Sequence, residues 1–367
     1  MLCCYKMVWV INMKKIGREV LFLKAVEGNP RNGEGAFIRL NDGAILFAYT
    51  RFTGSDWADD CAADIAALYS YDEGETWGNE RILFYHDEKS RNLMEPNFIR
   101  MNNGDLGIVY LRKAKGSENG VPYFARSCDE GKTFTEPQRI IDDDNNYFVL
   151  ENDHVIKLRN GRILMPANLH SVEKDGKYEV IEHGLKCVFA SDDDGKSWHE
   201  IAKRQDIPFP HRSETGLQET ALYEQEDGVV RAFSRTDVAF QYECFSPDGG
   251  ETWTEPEPNR FFSSPDSPLL MKRCGKYTVV IFNPIPNYTT RPDVAWGRTP
   301  FVMGVSEDDG KTFPKMYFLE DDENNGYCYP AIFSGEDYIL VSYYHSNDTG
   351  IPLNSNKIIK IGYDELI

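Results

Sequence analysis

Six polar residues recur at one place in a repeating pattern. Nine positions before the turn glycines Gly43, Gly104, Gly161, Gly228 and Gly275 stand Glu34, Glu95, Asn152, Glu219 and Asp266. The register of a sixth hairpin puts Tyr329, just ahead of Pro330, at the equivalent place. An apolar strand follows each of them. Carboxylates, an amide and a phenol converging on one cavity could hold a polar ligand and move protons at it. The plainer account is that a polar residue entering a strand satisfies its own turn. Cations stand near the pattern: Arg51, Arg112 and Arg235 end the second strand of their hairpins, and Arg298 precedes a later strand. For Arg112 a surface ion pair explains the residue as well as function does. Arg235 and Arg298 follow Glu219 in the chain and carry the stronger functional expectation.

The elements that must position these residues are legible in two interleaved repeats. Ser70–Trp77, Ser127–Phe134, Ser191–Trp198, Ser246–Trp253 and Ser306–Phe313 all fit Ser-Xaa-Asp-Xaa-Gly-Xaa-Ser/Thr-Trp/Phe, with their serines 55 to 64 residues apart. Each reads as a hairpin turn in which Asp accepts from the turn backbone, Gly supplies positive φ, and the closing aromatic ring plugs the gap to the next sheet. Hydrophobic runs hinged on the glycines named above, and on Ser334-Gly335-Glu336-Asp337, give six hairpins against five aspartate turns. The missing sixth turn falls where the chain ends meet, as when a circular array is closed by strands from both termini. The fold class predicted is therefore all-β, a six-bladed β-propeller of four-stranded antiparallel blades with terminal closure.

Although 367 residues could make more than one domain, the repeats run without a linker, so residues 14–367 read as one domain. Residues 1–13 read as a disordered tail or an over-called start, because the apolar Met1–Ile11 stretch is too short to span a bilayer and lacks a cleavage site. The cytoplasm is the default compartment. Eight scattered cysteines show no paired spacing that would hold zinc, and the Asp142–Asp144 and Asp192–Asp194 clusters lack the alternating oxygen offsets of a calcium loop. No cofactor or metal is expected. With 59 acidic against 40 basic residues, the net charge of −19 disfavours nucleic acid and anionic membrane as partners.

The aspartate turns and hairpins resemble the sialidase superfamily of six-bladed propellers, with BNR or Asp-box repeats, over nearly the whole chain from about residue 18. The resemblance implies a tyrosine nucleophile activated by a glutamate, an aspartate acid, three arginines that grip a carboxylate, and a carbohydrate partner. Glu219 in Gln218-Glu219-Thr220 matches the glutamate, Arg235 and Arg298 match two arginines, and Tyr329 matches the nucleophile, with Tyr327 competing two residues away. The acid is implied between Arg51 and the first aspartate turn, where Asp59 and Asp60 are adjacent candidates and Asp64 a lesser one. A neutral phenol can approach an anionic sugar that would repel a carboxylate nucleophile.

One departure bears on the substrate. The family's first arginine lies in a Phe-Arg-Ile-Pro motif about one residue before the recurring polar position, and this chain reads Pro30-Arg31-Asn32-Gly33-Glu34-Gly35. Arg31 would have to swing in from upstream, while Glu34 faces the pocket. With Glu95 and Asp266 beside it, such a site suits a neutral or hydroxyl-rich sugar and predicts a poor sialidase. The competing reading from another class is a non-catalytic carbohydrate-binding propeller; a rim scaffold for protein partners is a third. An enzyme needs Glu219 and Tyr329 within hydrogen-bond reach, whereas a binder does not.

Overall fold

The computed structural model describes residues 13–116, 119–286, 297–346 and 353–367. Strand after strand is bounded by Gly, Asp and Asn turns, so that consecutive strands pair antiparallel with their neighbours. Six sheets result. Blade 1 runs in order through Asn32–Arg39, Ile45–Phe52, Ala63–Ser70 and Gly78–Phe84. Blades 2, 4 and 5 repeat the plan, starting at Ser90–Arg100, Gln218–Glu224 and Leu270–Cys274. Blade 3 departs from it, because its innermost strand is broken into Phe148–Val149 and Ile156–Lys157, both paired with Ile163–Lys174. Blade 6 holds Tyr327–Ser334, Tyr338–His345 and Ser355–Gly362, and Arg18–Leu23 from the other end of the chain completes it as the outermost strand.

The core follows from this geometry. Alternate residues of each strand face opposite neighbours, so apolar side chains collect between blades. Val279, Ile281 and Met303 of blade 5 meet Ile339, Val341 and Tyr343 of blade 6, and comparable clusters fill the other interfaces. The aspartate turns serve these seams. In all five, the serine Oγ accepts from the turn glycine amide at 2.8 Å. The Asp Oδ2 accepts from the Ser/Thr hydroxyl at 2.6 Å in every copy. The closing rings Trp77, Phe134, Trp198, Trp253 and Phe313 pack onto the clusters between blades. The expected tail at Met1–Ile11 lies outside the described residues, while Met13 already packs against the seam of blades 4 and 5.

Candidate active site in the central cavity

The recurring polar position turns out to be a kink in the innermost strand. Glu34, Glu95, Glu219, Asp266 and Tyr329 have φ of 27°, 60°, 44°, 60° and 56°. At Glu34, Glu95, Glu219 and Tyr329 the pairing register with the second strand slips by a residue. An inserted residue of this kind re-aims its side chain, and a left-handed non-glycine backbone costs about 1–2 kcal/mol, so each blade spends stability to point one group inward. All five line a cavity of about 1130 Å³ at the hub.

Asn152 does not join them. In blade 3 the broken inner strand moves the left-handed residue to Asp153, at φ 59°. Asn152 is fully buried, and its Nδ2 donates to the carbonyls of Gly35 at 2.7 Å and Pro330 at 3.4 Å, tying three blades together. Glu151 reaches the cavity in its place.

Blades 4, 5 and 6 bring four predicted groups into contact. The Tyr329 hydroxyl donates to Glu219 Oε1 at 2.9 Å and accepts from Arg235 Nη1 at 3.2 Å, while Arg235 also donates to Glu219 at 2.6 Å. The rest of the Arg235 fork is bidentate on Asp266, at 2.7 and 3.0 Å. Burial acts against the Asp266 charge, and the Arg235 guanidinium outweighs it and holds the carboxyl below its ordinary range. Arg298 lies 5.3 Å from the Tyr329 ring centroid and donates to the Asp266 carbonyl at 3.0 Å. Burial, reinforced by the Glu219 carboxylate, pushes the Tyr329 phenol well above its ordinary value, so the hydroxyl keeps its proton. Tyr327 sits among Phe301, Tyr343 and His345, buried away from this group.

On the opposite side, Arg31 is held by its own surroundings. It donates to the Tyr344 hydroxyl at 2.6 Å, to Glu34 at 2.9 Å, to the Trp57 carbonyl at 3.2 Å, and to Asp59. Tyr344 donates in turn to Glu34 at 2.8 Å. Asp59 sits at the cavity mouth with its side chain 70% exposed, and the Arg31 guanidinium beside it brings its carboxyl down to about 2. Asp60 points away, paired with Arg91, and does not line the cavity. Asp64 is taken by His86 at 2.6 Å. Arg51 and Arg112 are also outside the cavity, paired with Glu80 at 3.2 Å and Asp87 at 2.9 Å.

Several groups of the cavity are absent from the sequence-based expectation: Glu151, Lys113, Tyr147, His170 and Trp57. Lys113 Nζ donates to the Asp59 carbonyl at 3.0 Å and sits over the Tyr147 ring. Burial drives the Glu95 carboxyl well above its ordinary range, helped by the Glu34 carboxylate and opposed by Lys113. Burial does the same to Glu151, helped by Glu219 and Glu95. Glu34 Oε2, Glu95 Oε2 and Glu219 Oε2 are buried without a hydrogen-bond partner among the described residues. The lining carries eight acidic side chains against four cations. Among the described residues no group of His, Cys, Asp and Glu is arranged to hold a metal ion.

A pocket of this construction, with a phenol against a carboxylate at the hub of six blades, can be set beside known proteins. No curated protein sequence matches the chain. Its fold is similar to a Hadza microbial sialidase, with 18% identity, 93% of this chain and 67% of that chain covered, and a TM-score of 0.71. It is also similar to a protein of unknown function from Dyadobacter fermentans, with 18% identity, coverages of 94% and 99%, and a TM-score of 0.72. The NanB sialidase from Streptococcus pneumoniae, in a complex with a chlorobenzyl-ammonio-ethanesulfonate, gives 13% identity, coverages of 99% and 73%, and a TM-score of 0.72. Identities this low establish the fold alone. Residues 43–341, most of the chain, match the BNR repeat-like domain family, and the chain belongs to that family as a sialidase-like six-bladed propeller.

Proposed function

We propose that the chain is a glycoside hydrolase of the sialidase-like superfamily that acts on a small glycan or glycoside. The observation that carries this reading is the 2.9 Å hydrogen bond from the Tyr329 hydroxyl to Glu219 inside the central cavity. Nucleophile and base within hydrogen-bond reach, oriented by a third group, is the arrangement that covalent catalysis requires. As the phenol oxygen attacks the anomeric carbon, Glu219 takes its proton. Arg235, already 3.2 Å from that oxygen, steadies the negative charge that develops on it as the proton leaves.

The same surroundings argue against a sialoside as the preferred substrate. A side chain at position 33, where the family's first arginine belongs, would place its Cβ 1.6 Å from the Tyr344 hydroxyl. Arg235 already has its fork on Asp266, and Arg31 is shared between Glu34 and Asp59. An incoming carboxylate would have to displace these carboxylates in a lining that is already acidic, whereas hydroxyl groups would give the unpartnered oxygens the donors they lack.

The test is turnover of an aryl-glycoside panel spanning sialic acid, uronic acids and neutral sugars. The reading expects at least one non-sialoside to be cleaved and Glu219→Gln and Tyr329→Phe each to remove that cleavage. Binding without turnover across the panel would leave a non-catalytic carbohydrate-binding propeller in its place.

A further inference from the structure

A retaining displacement at Tyr329 needs a second group to protonate the departing oxygen, and the aspartates implied for that role are poorly placed for it. Asp60 lies outside the cavity, and Asp59 is ionised against Arg31. Glu95 is different. It stands in blade 2, across the hub from the side that carries Glu219 and Tyr329. Its backbone is fixed by the strand kink, by its own amide donating to the Thr50 hydroxyl at 3.0 Å, and by its carbonyl accepting from Asn97 at 2.9 Å. The residue is only 8% exposed, lines the cavity, and its Oε2 has no partner among the described residues.

We propose that Glu95 is the proton donor of this site. This rests on the hydrolase reading above. In the first step the Tyr329 oxygen forms a bond to the anomeric carbon and gives its proton to Glu219. The bond to the leaving oxygen breaks with its electron pair on that oxygen, which takes the proton from Glu95. In the second step water attacks the anomeric carbon, the Glu95 carboxylate takes the proton that water loses, and the departing Tyr329 oxygen recovers its proton from Glu219. Both carboxyls end as they began.

The groups that act on Glu95 favour its holding a proton at rest. Burial opposes its ionisation most, the carboxylates of Glu34, Glu219 and Asp59 add to that opposition, and among its main influences only the Lys113 ammonium favours the charge. Glu151, on the adjacent blade, is likewise driven up, with Glu95 among the causes, so it is no sink for the proton. Enzymes that run acid chemistry at neutral pH raise a carboxyl in this manner.

The experiment compares Glu95→Gln with Asp59→Asn on two aryl glycosides of the sugar found by the panel, one with a dinitrophenyl and one with a methoxyphenyl leaving group. Glu95→Gln should lower kcat/KM on the methoxyphenyl glycoside by about two to four powers of ten and on the dinitrophenyl glycoside far less, because a good leaving group needs no proton. Asp59→Asn should not discriminate between them. In parallel, a carboxyl-carbon NMR titration of the wild-type protein should show one resonance, absent from Glu95→Gln, that keeps its proton to higher pH than an ordinary carboxyl. Equal losses on both leaving groups, leaving-group dependence in Asp59→Asn instead, or ordinary carboxylate titration of Glu95 would overturn this proposal and leave the hydrolase reading intact. A panel without any turnover would overturn both.

Discussion

The two halves of the cavity use one structural device for opposite ends. On the side of blades 4, 5 and 6, kinked strands present Glu219, Asp266 and Tyr329, and Arg235 touches all three. On the side of blades 1, 2 and 3, kinks present Glu34 and Glu95, and Glu151 lies beside them, yet among the described residues only Glu34 has a guanidinium within hydrogen-bond distance. The difference comes from the second strand. Seven residues after the turn glycine, blade 4 carries Arg235, whereas blades 1, 2 and 3 carry Thr50, Leu111 and Asn168. The charged half thus depends on one cation, Arg235, which stands across the ladder from the Glu219 kink and also reaches Asp266 of the next blade.

Removing that cation should give the largest change in stability. Arg235→Met leaves the buried Glu219 and the partly exposed Asp266 without their partner, and breaking a buried pair such as Arg235–Glu219 from one side costs about 3–5 kcal/mol. Urea unfolding should report a loss of that order; a loss below about 1 kcal/mol would mean that the blade 4 side does not depend on its ion pairs.

Next comes the contact that separates the blade 1 side from an arginine-bearing one. Gly33→Ala forces Cβ into the Tyr344 hydroxyl, and overpacking of this kind costs about 1–3 kcal/mol. The added Cβ also meets Tyr344 Cζ at 1.7 Å and Cε1 at 2.3 Å, so the whole ring is in the way, and in a Tyr344→Ala background Gly33→Ala should cost less in a thermal melt than it does in wild type. A Gly33→Ala protein as stable as wild type would show that Tyr344 has freedom to move.

The half that carries Glu95 predicts a gain. Below the ordinary value of 4.5 Glu95 is protonated in both folded and unfolded chains, and above it the unfolded chain releases the proton while the folded chain retains it. Stability therefore falls as pH rises through this window, and Glu95→Gln escapes the fall. Its melting temperature should match wild type near pH ~4 and exceed it near pH ~8, a gain on the order of 1–3 kcal/mol for relieving a poorly compensated buried group. An unchanged difference across that range would place an ionised Glu95 in the folded protein.

The smallest effect is expected outside the cavity. Arg51→Gln breaks only a half-exposed pair with Glu80, so stability should stay within about 0.5 kcal/mol and any glycosidase activity should be retained. A large loss of activity would return Arg51 to the site.

These contrasts also mark how far the sequence could be read. Five copies of one turn specify the blades because each copy encodes its own hydrogen bonds within eight residues, from Ser70 to Trp77 and onward. The inward position was legible in blades 1, 2, 4 and 5 because the kink stands nine residues before the turn glycine, and in blade 6 from the register of its hairpin. It failed at Asn152, where the inner strand of blade 3 is interrupted and the kink moves by one residue. Arg51 and Arg112 were grouped with Arg235, yet they stand eight residues after the turn glycine and Arg235 seven, which on a period-two strand is the other face. Lys113, at nine, shares the parity of Arg235, so alternation alone was a signal for it. The packing of Tyr344 against Gly33 joins residues more than three hundred apart and has no local signature.

The central claim is that the phenol in the paired half is the nucleophile. Its most direct test is to incubate the protein with a panel of fluorinated glycosyl fluorides, which trap glycosyl-enzyme intermediates, and to map the adduct by peptide mass spectrometry. The account predicts a single glycosylated peptide with the sugar on Tyr329 in the wild-type protein, and none in Tyr329→Phe. A sugar attached to Glu95, Glu151 or Glu219, or steady hydrolysis by Tyr329→Phe, would contradict it.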